Sequence, residues 1–575
     1  MNEPHTSTTL DALSIVRGSS EHESGLGSLT IPGYLREVVR RYAGHEALVM
    51  RYPSGERVSW TYDELWNRSI EVAKALIATG VGKGTRVGVL MTNRLEHVSS
   101  LFGIALAGGV TASLSTFSTA TELEYLVQAS GVSILLYDRQ VLKHDFGTML
   151  CDIEPQIRNS APGRLGSTKF PFLRRLVALD NVTAGRDHAA EDGLAVERWP
   201  EFLARGEALS DALVEARAEW VKPSDAGGLF FSSGTTSVPK GILHAQRAFS
   251  IQWWRWPRVL SVKEPVRSWT GNGFFWSANI TMVLGTALST GGAVILQPTF
   301  EAEAALRLLE AERVSLMNGR PHQWARLQAA PNWSAADLSS VRYVTRGELV
   351  RAHPTVKSEW ERPNSYGTTE TMTIFSAFTA DTPAEERAGS FGAPLPGNIL
   401  KVVDPQTGAV IPRRQRGEIC LKGPTLMMGY IDKTLEEAFD EEGYFRTGDG
   451  GYVDDAGRLY WEGRLNDIIK TGGANVSPEE VDAAIATYPG VKRTQTVGVP
   501  HETLSEMVVS CIVPVEGATL AEDEIVGHLK KRLASFKLPR RVLFFADAEF
   551  ALTGNEKVKV KEIRELAAKR LGVSC

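Results

Sequence analysis

The chain of 575 residues carries a formal charge of -5 and is 43% hydrophobic and 23% charged, which excludes wholesale disorder and a coiled-coil rod and implies no pull toward nucleic acid. That length exceeds what one ordinary core organises, so a large domain and at least one smaller one are expected. The cysteines Cys151, Cys420, Cys511 and Cys575 lack the paired spacing of a zinc site and read as reduced thiols. No basic segment followed by an apolar run opens the chain, no apolar stretch reaches the roughly 18 residues of a membrane helix, and the terminal GVSC is not a prenylation box. The expected compartment is the cytoplasm.

Residues 1–27 are polar and without a sustained period, and are expected to form a loose extension. Thr61 and Glu64 form a capping box that opens a helix, whose apolar residues Trp66, Ile70, Ala73 and Ile77 share one face until Gly80. Strands are expected at 87–91, 110–114 and 133–137, alternating with helices at 96–107 and 122–129, and this alternation means parallel βαβ units. Residues 157–222, with short apolar pieces among charged patches, read as a surface excursion. From residue 399 the pattern changes to short strands at 399–403, 417–421 and 458–462, a small β-rich subdomain. A helix capped by Ser477, with Pro478 at N1 and Glu480 closing a second box, follows. Strands at 495–499, 507–514 and 542–545 and a helix at 523–533 complete a compact α+β unit. The expected division is therefore 1–27, 28–465 and 466–575, with the boundary near Asn466.

The run FFSSGTTSVPKG at 230–241 concentrates hydroxyls and unencumbered amides in one turn after two apolar strand residues. Such a turn wraps triphosphate oxygens, with Lys240 adding positive charge. The other common phosphate loop, GxxxxGK followed by Ser or Thr, is absent. A Ser/Thr-rich surface loop has the same composition, and it is the order of residues that decides. The run resembles the signature of the acyl-adenylate-forming superfamily, which includes acyl-CoA synthetases, peptide-synthetase adenylation domains and beetle luciferases.

Further segments carry the same resemblance in family order. SYGTTE at 365–370 is similar to the family's second signature. The resemblance makes Ser232, Ser233, Gly234, Thr235, Thr236 and Lys240 the phosphate-binding loop, Tyr366, Gly367 and Thr368 the adenine and AMP contacts, Thr369 an α-phosphate contact with a catalytic part, and Glu370 the magnesium ligand. The long run from Tyr444 to Val481 resembles the hinge-proximal signature. There it implies that Asp449 accepts from the ribose hydroxyls, that Arg464 holds ribose or phosphate, that Asn466 is the hinge, and that Gly472 and Gly473 line the thiol's path. LTGNEKVK at 552–559 resembles the last signature and makes Lys557 the catalytic lysine, whose cation bridges substrate carboxylate and α-phosphate as charge develops. GEICLKGPTLMMGY at 417–430 and FKLPRRV at 536–542 are supporting matches.

Departures from the pattern are Ser237 and Glu556, each in place of a glycine, and Arg346 in RGEL at the base of the acyl pocket, beside Gly347. In GNGFFWSANI at 271–280, Trp276 falls where relatives carry a histidine or an aromatic near the substrate carboxylate, with Ser277 beside it. Trp253, Trp254 and Trp256 read as core, His244 as either structural or functional, Lys530, Lys531 and Arg532 as a solvated face, and the DFG at Asp145 as a decoy without a kinase catalytic loop. The resemblance implies an α/β fold: a large N-terminal domain of βαβ subdomains with a small β-rich subdomain, then a small mobile α+β C-terminal domain. It implies an ATP-dependent carboxylic acid:CoA ligase that forms acyl-AMP with release of pyrophosphate and then transfers the acyl group, using ATP, Mg2+ and coenzyme A. Two readings stay open beside it: an adenylating enzyme that passes the acyl group to an amine or to a carrier-protein thiol in trans, and a non-catalytic nucleotide-binding homologue. A homodimer stays open too.

Overall fold

The computed structural model describes residues 12–20, 23, 25–52, 54–179, 195–232, 239–345, 348–387, 389–465, 469–471, 474–502, 504–530, 532–533, 537–550 and 558–573. Contacts divide the chain into two compact units. One comprises Arg17–Asn398 and Lys422–Gly443; the other comprises Met1–Val16, Ile399–Leu421 and Tyr444–Cys575.

The larger unit is layered α/β. Its eight-stranded sheet runs Val196–Arg198, Arg175–Leu179, Ile134–Asp138, Arg86–Leu90, Val110–Ser113, Ala226–Ser232, Lys240–Ala245, Gly429–Tyr430. The pairs are parallel up to Ala226–Ser232 and antiparallel beyond it. Its six-stranded sheet runs Tyr343–Thr345, Leu316–Asn318, Arg267–Thr270, Ala293–Leu296, Glu46–Arg51, Arg57–Thr61, and only the last pair is antiparallel. Alternation along each strand sends successive side chains to opposite faces. Val87, Val89, Ile134 and Leu136 of one sheet and Leu48 and Met50 of the other meet in a shared inner core, while Leu135 and Val49 enter separate outer clusters. The helices Tyr62–Ala78 and Leu95–Leu106 fill that inner layer, which is why the second is buried almost all round. They approach so closely that a Cβ on Gly103 would lie 2.7 Å from Val72 Cβ. Trp253, Trp254 and Trp256, on the helix Gln246–Val259, are buried in the same core, as expected.

In the smaller unit an antiparallel meander, Gly417–Lys422, Phe445–Val453 and Leu459–Arg464, extends a sheet edged by Ile15–Arg17 and Ile399–Val403. A second sheet joins Ala474–Val476, Ile469–Thr471, Ser505–Pro514 and Val491–His501, with Arg541–Phe544 parallel to Ser505–Pro514. Val508 and Ile512 face the helices Pro478–Ala486 and Glu522–Leu529, whereas Val509, Cys511 and Val513 face Val560–Leu571.

Local expectations differ from the structure at several places. Within the stretch expected to be loose, Ile15–Arg17 is a strand, too short to show a period. The supposed surface excursion contributes Arg175–Leu179 and Val196–Arg198 to the larger sheet; a five-residue run buried on both faces carries no alternation to betray it. The box expected at Ser477 does not form: its hydroxyl donates to the Glu462 carbonyl at 3.1 Å, and Glu480 pairs with Lys537 Nζ at 2.7 Å. The boxes at Thr61 and, unanticipated, Thr119 do form.

Candidate active site

Two adjacent strands start the site. Ala226–Ser232 pairs with Lys240–Ala245 so that Ser232 lies opposite Lys240, and the segment between them carries the phosphate-loop sequence. Ser233, Gly234, Thr235, Thr236 and Ser237 lie outside the described residues. Pro239 is tied down by Tyr125, whose hydroxyl donates to its carbonyl at 3.0 Å.

Tyr430, on the neighbouring strand opposite Ile242, links this hairpin to the second signature. Its hydroxyl donates to Glu370 Oε1 at 2.8 Å, and the Met427 amide donates to the Glu370 carbonyl at 2.7 Å. Lys240 Nζ and Lys433 Nζ lie 5.6 Å and 5.7 Å from the centre of the Tyr430 ring, where its quadrupole attracts both cations. Lys240 and Glu370, 130 residues apart, are thus gathered about one phenol. The Tyr430 ring was missed as a site residue; the closing tyrosine of the supporting motif was its signal.

The turn after Tyr366 is built on close backbone packing. Tyr366 is buried and pairs with Ser376. A Cβ on Gly367 would sit 1.8 Å from the Thr373 carbonyl oxygen. The Thr368 amide donates to Thr371 Oγ1 at 2.9 Å, and Met372 and Thr373 take φ of +50° and +94°. Such non-glycine positive φ stores strain at a position fixed by its surroundings. The Thr368 hydroxyl is buried with no hydrogen-bond partner among the described residues. His244 supports the turn from behind: fully buried, it donates from Nε2 to the Thr369 carbonyl at 2.8 Å, and burial pulls its pKa down to about 4. It is therefore neutral at working pH, and its part is structural.

The carboxylate set fits magnesium. Among the described residues no group of three or more His, Cys, Asp or Glu gathers as an all-protein cage. Glu370 instead presents a single hard oxygen donor group oriented through one oxygen, the arrangement for Mg2+ shared with substrate phosphates.

In the smaller unit Asp449 and Arg464 stand opposite each other across an antiparallel pair, with a bulge between Asp449 and Gly451. Arg464 Nε lies 3.1 Å from Asp449 Oδ1, and Nη1 donates to the Thr447 carbonyl at 2.6 Å. Asp449 is buried and its amide donates to Thr447 Oγ1 at 2.9 Å. Bulges re-aim side chains beside functional sites, and this one directs a fixed carboxylate with a half-exposed guanidinium alongside. Asn466, Gly472, Gly473, Glu556 and Lys557 lie outside the described residues.

Trp276 is half-buried against Phe275, with ring centres 4.5 Å apart, and the Arg320 guanidinium carbon lies 4.5 Å from the centre of a Trp276 ring. Ser277 is buried and its carbonyl accepts from Thr281 Oγ1 at 2.9 Å. Arg346 and Gly347, immediately after the strand Tyr343–Thr345, lie outside the described residues.

The family model described as AMP-binding enzyme matches residues 35–431, and that of the AMP-binding enzyme C-terminal domain matches residues 480–557. Among curated proteins, the 3-[(3aS,4S,7aS)-7a-methyl-1,5-dioxo-octahydro-1H-inden-4-yl]propanoyl:CoA ligase of Mycobacterium tuberculosis is 31% identical over 93% of this chain and 99% of its own length. The indoleacetate–CoA ligase of Aromatoleum aromaticum is 30% identical over 93% of this chain and 98% of its own. Among solved structures, ATP-bound MatB from Rhodopseudomonas palustris shares the fold with a TM-score of 0.74 at 24% identity, covering 94% of this chain and 99% of that one. The chain belongs to the AMP-binding enzyme family, the acyl-adenylate-forming superfamily of acyl-CoA synthetases.

Proposed function

We propose that the protein is an ATP-dependent carboxylic acid:CoA ligase, AMP-forming, acting on a ring-bearing acid in the cytoplasm. The observation that carries the chemistry is the convergence of Lys240, Lys433 and Glu370 on Tyr430, a cationic and carboxylate cluster at the mouth of the phosphate-loop hairpin. A carboxylate resists attack by a thiol because oxide is a poor leaving group, so it is first joined to AMP as a mixed anhydride. The two lysines draw the triphosphate in, and the hydroxyls from Ser232 to Thr236 wrap it. Magnesium bound at Glu370 supplies neutralisation of phosphate charge. Asp449 and Arg464 hold the ribose side of the nucleotide, and Lys557 stabilises charge on the reacting carboxylate and α-phosphate. A turn of the C-terminal domain at Asn466 then exchanges Lys557 for Gly473 and opens the thiol's path.

The ring-bearing acid is supported by the aromatic wall of Phe275 and Trp276 and by the two relatives at 30% and 31% identity, one named for indoleacetate and one for a fused-ring propanoate. The test is release of pyrophosphate from ATP with a panel of aliphatic, aromatic and fused-ring acids, with and without coenzyme A. Acid-dependent release followed by acyl-CoA formation supports the proposal. Release with no thioester product moves the acceptor to an amine or a carrier thiol, and no release with any acid overturns the ligase reading.

A further inference from the structure

The helix Ala120–Ser130 is opened by the capping box of Thr119 and Glu122 and closed by Gly131 in the left-handed region, at φ +60°. Its buried residues Leu123, Leu126 and Val127 seat it in the outer cluster of the eight-stranded sheet. Tyr125, between them, is half-buried, and its ring packs against the same cluster as Phe231, Leu243 and Ile431. Phe231 and Leu243 belong to the two strands of the phosphate-loop hairpin, and Ile431 follows Tyr430 on the next strand.

Alternation along Lys240–Ala245 puts Leu243 on that outer face and Lys240, Ile242 and His244 on the other. Tyr430 pairs with Ile242, and Lys240 Nζ lies 5.6 Å from the centre of the Tyr430 ring. Tyr125 and the Lys240 ammonium therefore stand on opposite sides of the hairpin.

One hydrogen bond joins them. The Tyr125 hydroxyl donates to the Pro239 carbonyl at 3.0 Å. Burial, with the charge of Asp432 adding to it, holds the phenol's pKa above its ordinary value, so the hydroxyl keeps its proton and its role as donor. The ring of Pro239 fixes φ near about −65°, and the peptide bond to Lys240 is planar. The soft dihedral left between the two residues is ψ of Pro239, and turning it swings the carbonyl that Tyr125 holds. An anchored carbonyl thus sets the peptide plane and the direction in which Lys240 leaves it. Lysine is a point charge on a flexible four-carbon stem, and the origin of that stem decides where the charge can reach.

We propose that Tyr125 is a positioning residue for ATP: through the Pro239 carbonyl it fixes the backbone origin of Lys240, so that the Lys240 ammonium stands where the nucleotide's phosphates bind. This rests on the reading of Lys240 as a triphosphate contact. Tyr125 itself stays on the outer face, so its loss is felt only through Lys240.

The experiment titrates ATP calorimetrically, without acid, into wild type, Tyr125→Phe, Lys240→Ala and the double variant, together with thermal unfolding and, for the most active acid, the KM for ATP and kcat of pyrophosphate release. Tyr125→Phe keeps the ring and its packing and removes the donor. It is expected to weaken ATP binding and raise the KM for ATP by about 3- to 10-fold, the scale of one neutral hydrogen bond, with kcat within about twofold and unfolding unchanged. In the Lys240→Ala background the same substitution is expected to change ATP affinity by less than about 1.5-fold, because the residue it positions is gone. An equal loss in both backgrounds, a Tyr125→Phe variant that binds ATP like wild type, or a loss accompanied by a lowered unfolding temperature overturns the proposal. Absence of pyrophosphate release with every acid overturns the ligase reading alone, since the acid-free titration still decides the part of Tyr125; a wild type that does not bind ATP overturns both.

Discussion

Substituting Gly367 by alanine tests the second signature most directly. The added Cβ would lie 1.8 Å from the Thr373 carbonyl oxygen, 2.7 Å from its carbon and 2.9 Å from Ile374 Cα. All three are backbone atoms, so no rotamer relieves the clash. Recovering ordinary contact demands a displacement of about 1.5 Å, comparable to errors that cost 100-fold when they misplace reacting groups. The turn cannot absorb it locally, because the Thr373 amide donates to the Thr368 carbonyl at 3.1 Å and the Phe375 amide to the Tyr366 carbonyl at 2.8 Å. Tyr366 and Glu370 flank the clash on either side, so both move. The expected outcome is a fall of about 100-fold or more in acid-dependent pyrophosphate release at saturating ATP, with a stability loss of about 1–3 kcal/mol, as for overpacking elsewhere. Thermal unfolding separates the two effects. A variant that unfolds like wild type and adenylates within about threefold of it would refute the reasoning, since a displaced turn then does not matter to the chemistry.

Tyr430→Phe removes the 2.8 Å hydrogen bond to Glu370 and should raise the magnesium concentration for half-maximal rate by about 10-fold, a bond to a charged acceptor being worth about 1.5–3 kcal/mol; an unchanged magnesium titration counts against Tyr430 as the residue that orients Glu370. Lys557→Ala should nearly abolish adenylation while thioester formation from supplied acyl-AMP persists, and equal loss of both steps means the lysine's role is misassigned. His244, whose pKa burial lowers to about 4 from an ordinary 6.5, binds its proton more readily unfolded than folded, so its contribution of about 3 kcal/mol is full above pH 6.5 and is lost as the pH falls toward 4. Chemical denaturation across that window should therefore be flatter for His244→Gln than for wild type, and parallel curves would argue that His244 is not the titrating group.

How much was legible follows from what each level of structure encodes locally. The helix at Thr61 was readable because its cap, its acidic N3 residue and its apolar face all lie within one short window. The strand Arg175–Leu179 was not, because burial on both faces removes the alternation that marks a strand, and only its partner Ile134–Asp138 defines its place. The expected box at Ser477 failed through competition: its hydroxyl donates to the Glu462 carbonyl instead of capping its own helix. Lys240, Tyr366, Glu370, Asp449 and Arg464 were singled out by ordered motifs, and the structure gathers Lys240 and Glu370 about Tyr430 and pairs Asp449 with Arg464. Tyr430 had a signal only as the closing residue of a supporting motif, and Lys433 had none, since a cation over an aromatic ring is set by the third dimension and leaves no spacing in the chain.

The site carboxylates share one physical device. The Tyr430 hydroxyl holds a Glu370 oxygen, and Arg464, on the strand opposite, holds an Asp449 oxygen. A partly buried carboxylate without a partner is costly, and a carboxylate free to rotate must be ordered again each time ligand binds. Anchoring a carboxylate oxygen reduces both costs and keeps the group aimed. The partners differ as the tasks do. In the proposed mechanism a neutral phenol leaves the negative charge of Glu370 undiminished for a divalent cation, whereas a guanidinium beside Asp449 adds its own donors for the nucleotide. Exchanging those partners in kind, a cation beside Glu370 or a phenol beside Asp449, would preserve a hydrogen bond and lose the electrostatics, and it is the electrostatics, set before ATP arrives, on which adenylation depends.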